Sequence, residues 1–496
     1  MEMAIVESTL DAEALTTMIA EAPKSISCKV YNGQIYVGIL TRRPDNSHTT
    51  IFQYDANYKG PALCSTMPKG KELLRSQGLF PFFRNLVSEG WLEEAQKEVL
   101  IFYGTTISHF DILAHFGEDC IGAIRVVPCA KLPKRTGGIL EHIGAKQAHR
   151  NSALVPGIQP KILMTEKADG EYVVSSRKTR STHIAKLEHM AKTAHLDWSA
   201  DDAPPPQDIL CNEFVTTEVL RALLPEDQTC AVELKYLDTI KQEALLIKRF
   251  DRDDEGNPIA CYELNQLLGK NTDEKYDGYY KDIADFIRKH ATGTVVDGIR
   301  TNLGDIEVLF KRLLATILVE NGDAHMKNFA LLQKGDEFRL SPNYDSVSCA
   351  RPSYKKLSGM ALKIGYPAKD TLAMEQIKPK HIVALARDLG LLSETPTLEE
   401  VSNIASIVNE IVGRAKTICA ILEGKGDVHQ FPNLAKIMDA SIFGAEKTTA
   451  ISCLTRRWNG SLAGVDMFMN KTLLKPQAAV HPKKFVMPDI SLRKVL

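Results

Sequence analysis

The sequence lacks any pair of cysteines at Cys-x-x-Cys spacing, although it has ten, at positions 28, 64, 120, 129, 211, 230, 261, 349, 419 and 453. Zinc ribbons and dithiol redox centres depend on that spacing and are unsupported. The thiols read as reduced and mostly buried, as in a cytoplasmic protein. The 13 histidines are equally dispersed. His183, His189 and His195 recur every six residues, which does not place them on one helical face, and metal sites use tighter spacing. A dominant charge is missing too: 61 Lys+Arg against 62 Asp+Glu leaves a net charge of -1. No global field draws the chain to nucleic acid or anionic lipid, so any such contact must be a local patch. No segment approaches the roughly 18 uninterrupted apolar residues of a membrane span. The stretch before Lys24 holds five acids and no base, which does not fit a secretory signal. Internal repeats and low-complexity segments are absent.

What is present is ordinary globular composition, 44% hydrophobic and 25% charged over 496 residues. A chain of that length suggests about three compact units, with enough core to need no disulfide or metal.

Residues 26–40, ISCKVYNGQIYVGIL, are two alternating runs around Asn32-Gly33, a hairpin signal because such turns favour positive φ. A third alternating run, TTIFQYDANY, follows at 49–58. Residues 71–127 mix helical patterns, ELLRSQGLFPFFRNLVSEGWLEEAQKEVL, with the apolar strand IGAIRVVP. Residues 152–252 give short strand-like runs, KILM, EYVVSS, STHIAKL, TCAVELKYLD and ALLIKRFD, with one helical pattern, NEFVTTEVLRALL, among them. Three prolines, Pro204 to Pro206, mark a surface loop. From 253 the pattern turns helical. Leu309, Leu313 and Ile317 fall on one face of 304–322, where Asn321-Gly322 reads as the helix stop.

Chemistry concentrates in NGDAHMKNFALLQKGDEFRLSPNYDS, residues 321–346. Asp323 and Asn328 are separated by four residues, two short apolar runs follow, and Asp345 comes next. Phosphoryl transfer needs one carboxylate to accept the proton of the attacking hydroxyl. It also needs an amide oxygen and a second carboxylate to hold Mg²⁺ on the nucleotide phosphates. The protein-kinase catalytic loop has the same Asp-x4-Asn spacing. A β-hairpin would return Asp345 beside Asn328. Read alone, Asp in a loop is as well explained by a cap or a turn. Upstream, Lys186 lies mid-strand in THIAKL. It either meets an anion such as phosphate or snorkels from an edge strand. VPGIQPK (155–161) is a glycine-containing turn whose N–H groups suit phosphates. RFDR (249–252) is a connector between lobes or a strand end.

Together and in order, these pieces resemble the HipA family of bacterial serine/threonine kinases. VPGIQPK resembles the phosphate loop, THIAKL the ATP-lysine strand and LLIKRFDR the interlobe hinge. EKYDGYYKDIADFI resembles a family helix region, NGDAHMKN the catalytic loop and PNYDSVS the metal-binding turn. The stretch from VGILTRRPD to LFPFFRNLVSEGWL resembles the small domain preceding the kinase. The resemblance implies an α+β, two-lobed kinase-like fold with a small N-terminal subdomain and a mostly helical C-lobe. The expected division is an N-terminal extension (1–25), the N-terminal subdomain (26–128), an N-lobe with phosphate loop (129–252), a helical C-lobe (253–430) and a C-terminal extension (431–496). Residues 440–496 are basic, with nine Lys/Arg against three acids.

It also implies roles. Asp323 is the expected general base, and Asn328 and Asp345 the Mg²⁺ ligands. The nucleotide is expected to meet Val155, Pro156, Gly157, Ile158, Gln159, Pro160, Lys161 and Lys186. Lys248, Arg249 and Phe250 should border adenine and ribose, with His325, Met326, Lys327, Asn328, Tyr344 and Asp345 completing the site. Glu213, in the NEFVTTEVLRALL helix, is inferred to partner Lys186. Many family members carry a serine just before the phosphate loop whose autophosphorylation ejects it. Leu154 stands there, so self-inactivation is either absent here or uses Ser152, two residues away. The implied activity is ATP- and Mg²⁺-dependent phosphorylation of a protein hydroxyl, with an aminoacyl-tRNA synthetase as target class. The implied setting is a toxin–antitoxin pair with a HipB-type helix-turn-helix antitoxin that carries operator DNA. A small-molecule or lipid kinase and a catalytically silent co-repressor are the rival readings.

Overall fold

The structure, a computed structural model, describes residues 26–43, 48–70, 73–102, 107–130, 161–175, 180–187, 209–225, 227–291, 294–296, 299–301, 303–334, 337–349, 359–377 and 379–424. The expected extensions, Ser152, Leu154, the phosphate-loop residues 155–160 and the triple proline lie outside them.

Strands β1 (Ile26–Asn32), β2 (Ile35–Arg42), β3 (Thr49–Tyr54) and β4 (Leu74–Gln77) come first. Helices α1 (Pro81–Arg84), α2 (Gly90–Phe102) and α3 (His109–Phe116) follow, then β5 (Ile124–Pro128). The strands pair antiparallel in the order β4-β3-β2-β1-β5. Alternation puts Cys28, Val30, Leu40 and Phe52 on one face, packed with Phe82, Phe83, Phe110 and Leu113, and Val37, at the register shift opposite Val30–Tyr31, is buried in the same core. Two expectations shift here. Leu74–Gln77 is an edge strand and not helix, paired with β3. The β1–β2 turn is Gly33-Gln34, because Asn32 stays in the strand opposite Ile35. Asn32 is held there by its side chain, which donates to Tyr262 Oη at 2.8 Å, so Gly33 alone supplies the positive φ of +59°.

The second sheet contains β6 (Lys161–Glu166), β7 (Tyr172–Val174), β8 (His183–Leu187), β9 (Val232–Leu237) and β10 (Gln242–Lys248), in the order β7-β6-β8-β10-β9. Helix α4 (Ile209–Leu223) lies between β8 and β9 in sequence. One sheet face buries Ile162, Met164, Ala185, Ala244 and Leu246. The other contributes Leu245 and Ile247 to the large core that includes Phe214 and Leu220 of α4.

The remaining residues are not purely helical, as the pattern from 253 suggested. β11 (Cys261–Glu263) pairs with the hairpin β14 (Ala330–Lys334)–β15 (Glu337–Leu340). Between them come α5 (Leu264–Leu267), α6 (Tyr280–His290), a two-stranded ribbon β12 (Thr294–Val296)–β13 (Ile299–Thr301) and α7 (Leu303–Leu318). Helices α8 (Pro379–Asp388) and α9 (Leu398–Gly424) follow. Leu309, Leu313 and Ile317 of α7 are all buried, as their spacing requires. The end of α7 differs from expectation. The left-handed residue is Glu320, at φ +55°, and Asn321 N–H reaches back to the Thr316 carbonyl at 3.0 Å. That pair of features closes a Schellman-type stop one residue earlier than Asn321-Gly322.

The units meet at the segment after β10. Arg249 and Arg252 are both buried, and Asp251 between them accepts from each: from Arg249 Nε at 3.0 Å and Nη2 at 2.7 Å, and from Arg252 Nη1 at 2.9 Å. Asp119, ahead of β5, takes Arg252 Nη2 at 2.6 Å and Arg249 Nη1 at 3.3 Å. Gly122 N–H closes the cluster on Asp251 Oδ2 at 2.7 Å. Gly122 has φ +74°, and a Cβ there would lie 2.3 Å from the Cys261 carbonyl oxygen, so no other residue fits without displacing backbone. Burial would raise the Asp251 carboxyl, but the two guanidinium groups outweigh it and hold the group below its ordinary value.

Removing the shared carboxylate leaves two buried cations with only the part-exposed Asp119 to pair with. Asp251→Ala is expected to cost about 3–5 kcal/mol in urea unfolding. Asp238→Ala, at an exposed Lys241–Asp238 pair, is expected to cost under about 0.5 kcal/mol. Equal small losses would contradict this account of the junction.

Candidate active site

Lys186 occupies the middle of β8, a central strand, opposite Lys161 on one side and Leu245 on the other. Its ammonium is 4% exposed, so it does not snorkel to water. A lone charge there would be prohibitive. It is met instead by Glu213 Oε1 from α4 at 2.5 Å and by Asp345 Oδ1. Burial would lower the lysine, yet Asp345 and Glu213 together raise it above its ordinary value. The two carboxylates share this one ammonium unequally. Burial would raise Asp345, but Lys186 and Lys161 hold it well below the usual carboxylate range. Glu213 is pushed up by its own burial, which Lys186 only partly offsets.

Asp345 is placed by the hairpin. Strands β14 and β15 pair from Leu331↔Leu340 to Lys334↔Glu337, which carries the chain back to the loop 321–328. Asn328 Nδ2 then donates to the Asp345 carbonyl at 3.3 Å. Asp345 itself has φ +55°, a left-handed conformation uncommon for a residue with a side chain. The surrounding turn fixes it. Asn343 is bonded through its backbone to Gln228 and Cys230, and its side chain donates to Ser346 Oγ at 2.9 Å. Ser348 exchanges hydrogen bonds with Asn212 of α4. Tyr344 Oη donates to the Lys327 carbonyl at 2.6 Å, and its ring lies 5.3 Å from that of Phe250.

The loop 321–328 is held mostly by its own backbone. Asp323 N–H donates to Asn321 Oδ1 at 3.0 Å, His325 N–H to the Asp323 carbonyl at 2.8 Å, and Asn328 N–H to the His325 carbonyl at 2.9 Å. Burial lowers the His325 imidazole below its ordinary value, so it is neutral at pH 7. Met326 is fully buried. Lys327 turns away from Asp345 and pairs with Glu89 at 2.7 Å and Glu263 at 3.2 Å.

A divalent cation fits the donors present. Asn328 Oδ1 is buried and has no hydrogen-bond partner among the described residues, while the other edge of that amide is committed to the Asp345 backbone. An orphaned amide oxygen near an ionised carboxylate is the hard-oxygen pair that Mg²⁺ takes, with waters and phosphates supplying the rest.

The structure thus brings together Lys186, Glu213, Asp345 and Asn328, with Lys161 opposite Lys186 in the sheet. Phe250 and Tyr344 stack beside them. Lys248 ends β10 with its side chain exposed. All five N–H donors of the Arg249 guanidinium are spent on Asp251, Asp119, Ser181 and the Cys120 carbonyl, so they are not free for a nucleotide. Sequence reasoning missed Tyr276, whose hydroxyl donates to Asp323 Oδ1 at 2.6 Å, and Glu89, which bridges Lys275 and Lys327. Both act across long sequence separations that no local pattern announces.

The unequal sharing of Lys186 generates a pH signature. Lys186→Met leaves the buried Glu213 and the part-exposed Asp345 without their cation, and should destabilise the fold by about 3–5 kcal/mol near pH 7.5. Glu213 already titrates above its unfolded value, so the folded variant takes up protons more readily than the unfolded chain. Stability from such a group is present below its unfolded pKa and lost as pH rises through the folded one. The deficit against wild type is therefore smaller at pH 5 than at pH 7.5. A deficit independent of pH, measured by urea unfolding, would contradict the arrangement.

The family model of the HipA-like C-terminal domain matches residues 153–418, and that of the HipA N-terminal domain matches 28–127. "Putative kinase Y4dM" of Sinorhizobium fredii is 28% identical over 378 residues, covering 72% of this chain and 80% of its own length. The serine/threonine-protein kinase toxin HipA of Shewanella oneidensis is 22% identical over 357 residues, covering 66% of this chain and 76% of its own. The solved complex of Shewanella oneidensis HipA, HipB and operator DNA contains a chain that aligns with TM-score 0.59 at 20% identity. That alignment covers 89% of this chain and 99% of the other, and it shows the same fold. With two-domain matches in chain order and an α+β kinase-like architecture, this chain belongs to the HipA family.

Proposed function

We propose that the chain is a cytoplasmic serine/threonine-protein kinase that uses ATP and Mg²⁺. The observation that carries the reading is Lys186 fixed between Glu213 and Asp345, with the Asn328 amide on the Asp345 backbone. Glu213 holds the Lys186 ammonium at the sheet surface, where it pairs with the nucleotide phosphates. Lys161, paired with Lys186 across the sheet, adds a second positive charge toward those phosphates. Phe250 and Tyr344 supply the apolar wall for the base, next to Lys248. Mg²⁺, when bound by Asn328 and Asp345, neutralises the charge on the transferring group. Asp323 accepts the proton as the acceptor oxygen bonds to the γ-phosphorus. The bond from that phosphorus to the bridging oxygen breaks, and ADP leaves.

The wider role is inferred from relatives. One is named a toxin, and the solved neighbour includes HipB and operator DNA. The corresponding reading here is the toxin of a toxin–antitoxin pair that phosphorylates a translation component such as an aminoacyl-tRNA synthetase and arrests growth. A HipB-type antitoxin would neutralise it and link it to operator DNA. Ser152 is the proposed self-phosphorylation site. Among the described residues no helix is long and apolar enough to cross a membrane.

Purified protein incubated with γ-labelled ATP and cell lysate should label a discrete protein band. Asp323→Asn and Asp345→Asn should each cut labelling by about a hundredfold or more. A labelled small molecule or lipid in place of protein would redirect the substrate class. Equal labelling by wild type and both variants would overturn the kinase reading and favour a silent DNA-associated co-repressor.

A further inference from the structure

We propose that Tyr276 is a positioning residue for phosphoryl transfer: its hydroxyl fixes one oxygen of the Asp323 carboxylate and leaves the other for the acceptor hydroxyl. This inference rests on Asp323 being the base. The hydrogen bond from Tyr276 Oη to Asp323 Oδ1 is 2.6 Å long and spans 47 residues of sequence. Among the described residues it is the one side-chain hydrogen bond that Asp323 makes. A carboxylate is loose about its terminal torsion, with broad, roughly two-fold preferences. A charge-assisted bond to one oxygen selects a single orientation, and catalytic groups need orientation within about 10–20°.

Tyr276 is itself held from three sides. It closes the 3₁₀ turn Thr272–Tyr276, whose start is capped reciprocally by Asn271 and Glu274. Its ring meets the His325 ring edge-on, with centroids 5.0 Å apart and planes at 81°. Lys275 lies over the ring at 5.5 Å and pairs with Glu89 at 3.3 Å, and Glu89 also binds Lys327 of the catalytic loop. A single carboxylate from the N-terminal unit therefore clamps the tyrosine's turn and the base's loop together. Burial and the neighbouring Asp323 charge both push the phenol above its ordinary pKa, which keeps it a donor. The side chain is still 40% exposed, so its ring borders the approach to Asp323.

The bonding also resembles that of an acceptor hydroxyl on its base, so the test must separate positioning from self-modification. Tyr276→Phe keeps the ring and deletes the hydroxyl. With full-length protein, γ-labelled ATP and lysate protein as acceptor, kcat should fall about 10- to 100-fold. KM for ATP and binding of a non-hydrolysable ATP analogue should stay within about twofold of wild type. In the Asp323→Asn background the same change should alter the residual rate by less than about twofold, because a residue acting through Asp323 has nothing left to act on. Equal losses in both backgrounds would mean a structural role and overturn the inference. So would an unchanged rate in wild type, or phosphotyrosine at position 276 by mass spectrometry. Full activity of Asp323→Asn alone would instead sink the assignment of the base, a separate failure.

Discussion

A buried ammonium between two carboxylates organises this protein. Lys186 cannot stay charged inside a sheet without Glu213 and Asp345, and among the described residues neither carboxylate has another cation so close. The triad draws on three distant pieces of chain: β8, helix α4 and the turn after the β14–β15 hairpin. Each of the three is fixed by other means, so the triad is where separately folded elements must agree. Its charge imbalance matters as much as its geometry. Two carboxylates against one lysine, beside an unpartnered Asn328 oxygen, leave a net negative site whose donor set fits the proposed divalent cation.

The N-terminal unit reaches this site at two points. At the junction after β10, Asp119 and the Gly122 backbone join Arg249, Asp251 and Arg252 in one buried network. At the catalytic loop, Glu89 binds Lys327 and Lys275. The first holds the segment linking the second sheet to the residues that follow. The second holds the loop carrying Asp323 and the turn carrying Tyr276. Their charged groups are far more buried than typical surface pairs, so the cost of losing one partner is that of an uncompensated charge. The small unit is thus tied by ion pairs to the loop and the turn that carry Asp323 and Tyr276.

Legibility in the sequence followed range. Alternation in THIAKL and ALLIKRFD marked β8 and β10, and the hydrophobic stripe of α7 marked its buried face. The two apolar runs after Asn328 were enough to anticipate a hairpin returning Asp345. The Lys186–Glu213 pairing was inferred from order alone, and the two side chains do meet. Local chemistry misled where a tertiary contact competed. Asn32 stays in its strand because Tyr262, far along the chain, holds its side chain. Glu320 takes the left-handed position that Gly322 would have taken more easily, and its carbonyl accepts from Cys349 N–H at 2.9 Å. Leu74–Gln77 is a strand because β3 offers an open edge. Arg249 looked like a nucleotide contact, yet its donors go to the neighbouring Asp251 and to Asp119, 130 residues away, and the second pairing lies outside any window of sequence. Tyr276 and Glu89 were invisible for the same reason.

The most direct measurement of the central claim is calorimetric titration of the protein with a non-hydrolysable ATP analogue, with and without Mg²⁺. If Lys186, Asn328 and Asp345 form one nucleotide–metal site, Mg²⁺ should tighten binding by at least about tenfold, a coupling of about 1.4 kcal/mol. Asn328→Leu should abolish that gain while leaving metal-free binding in place. Binding that is absent, or that ignores both Mg²⁺ and Asn328, would contradict the account.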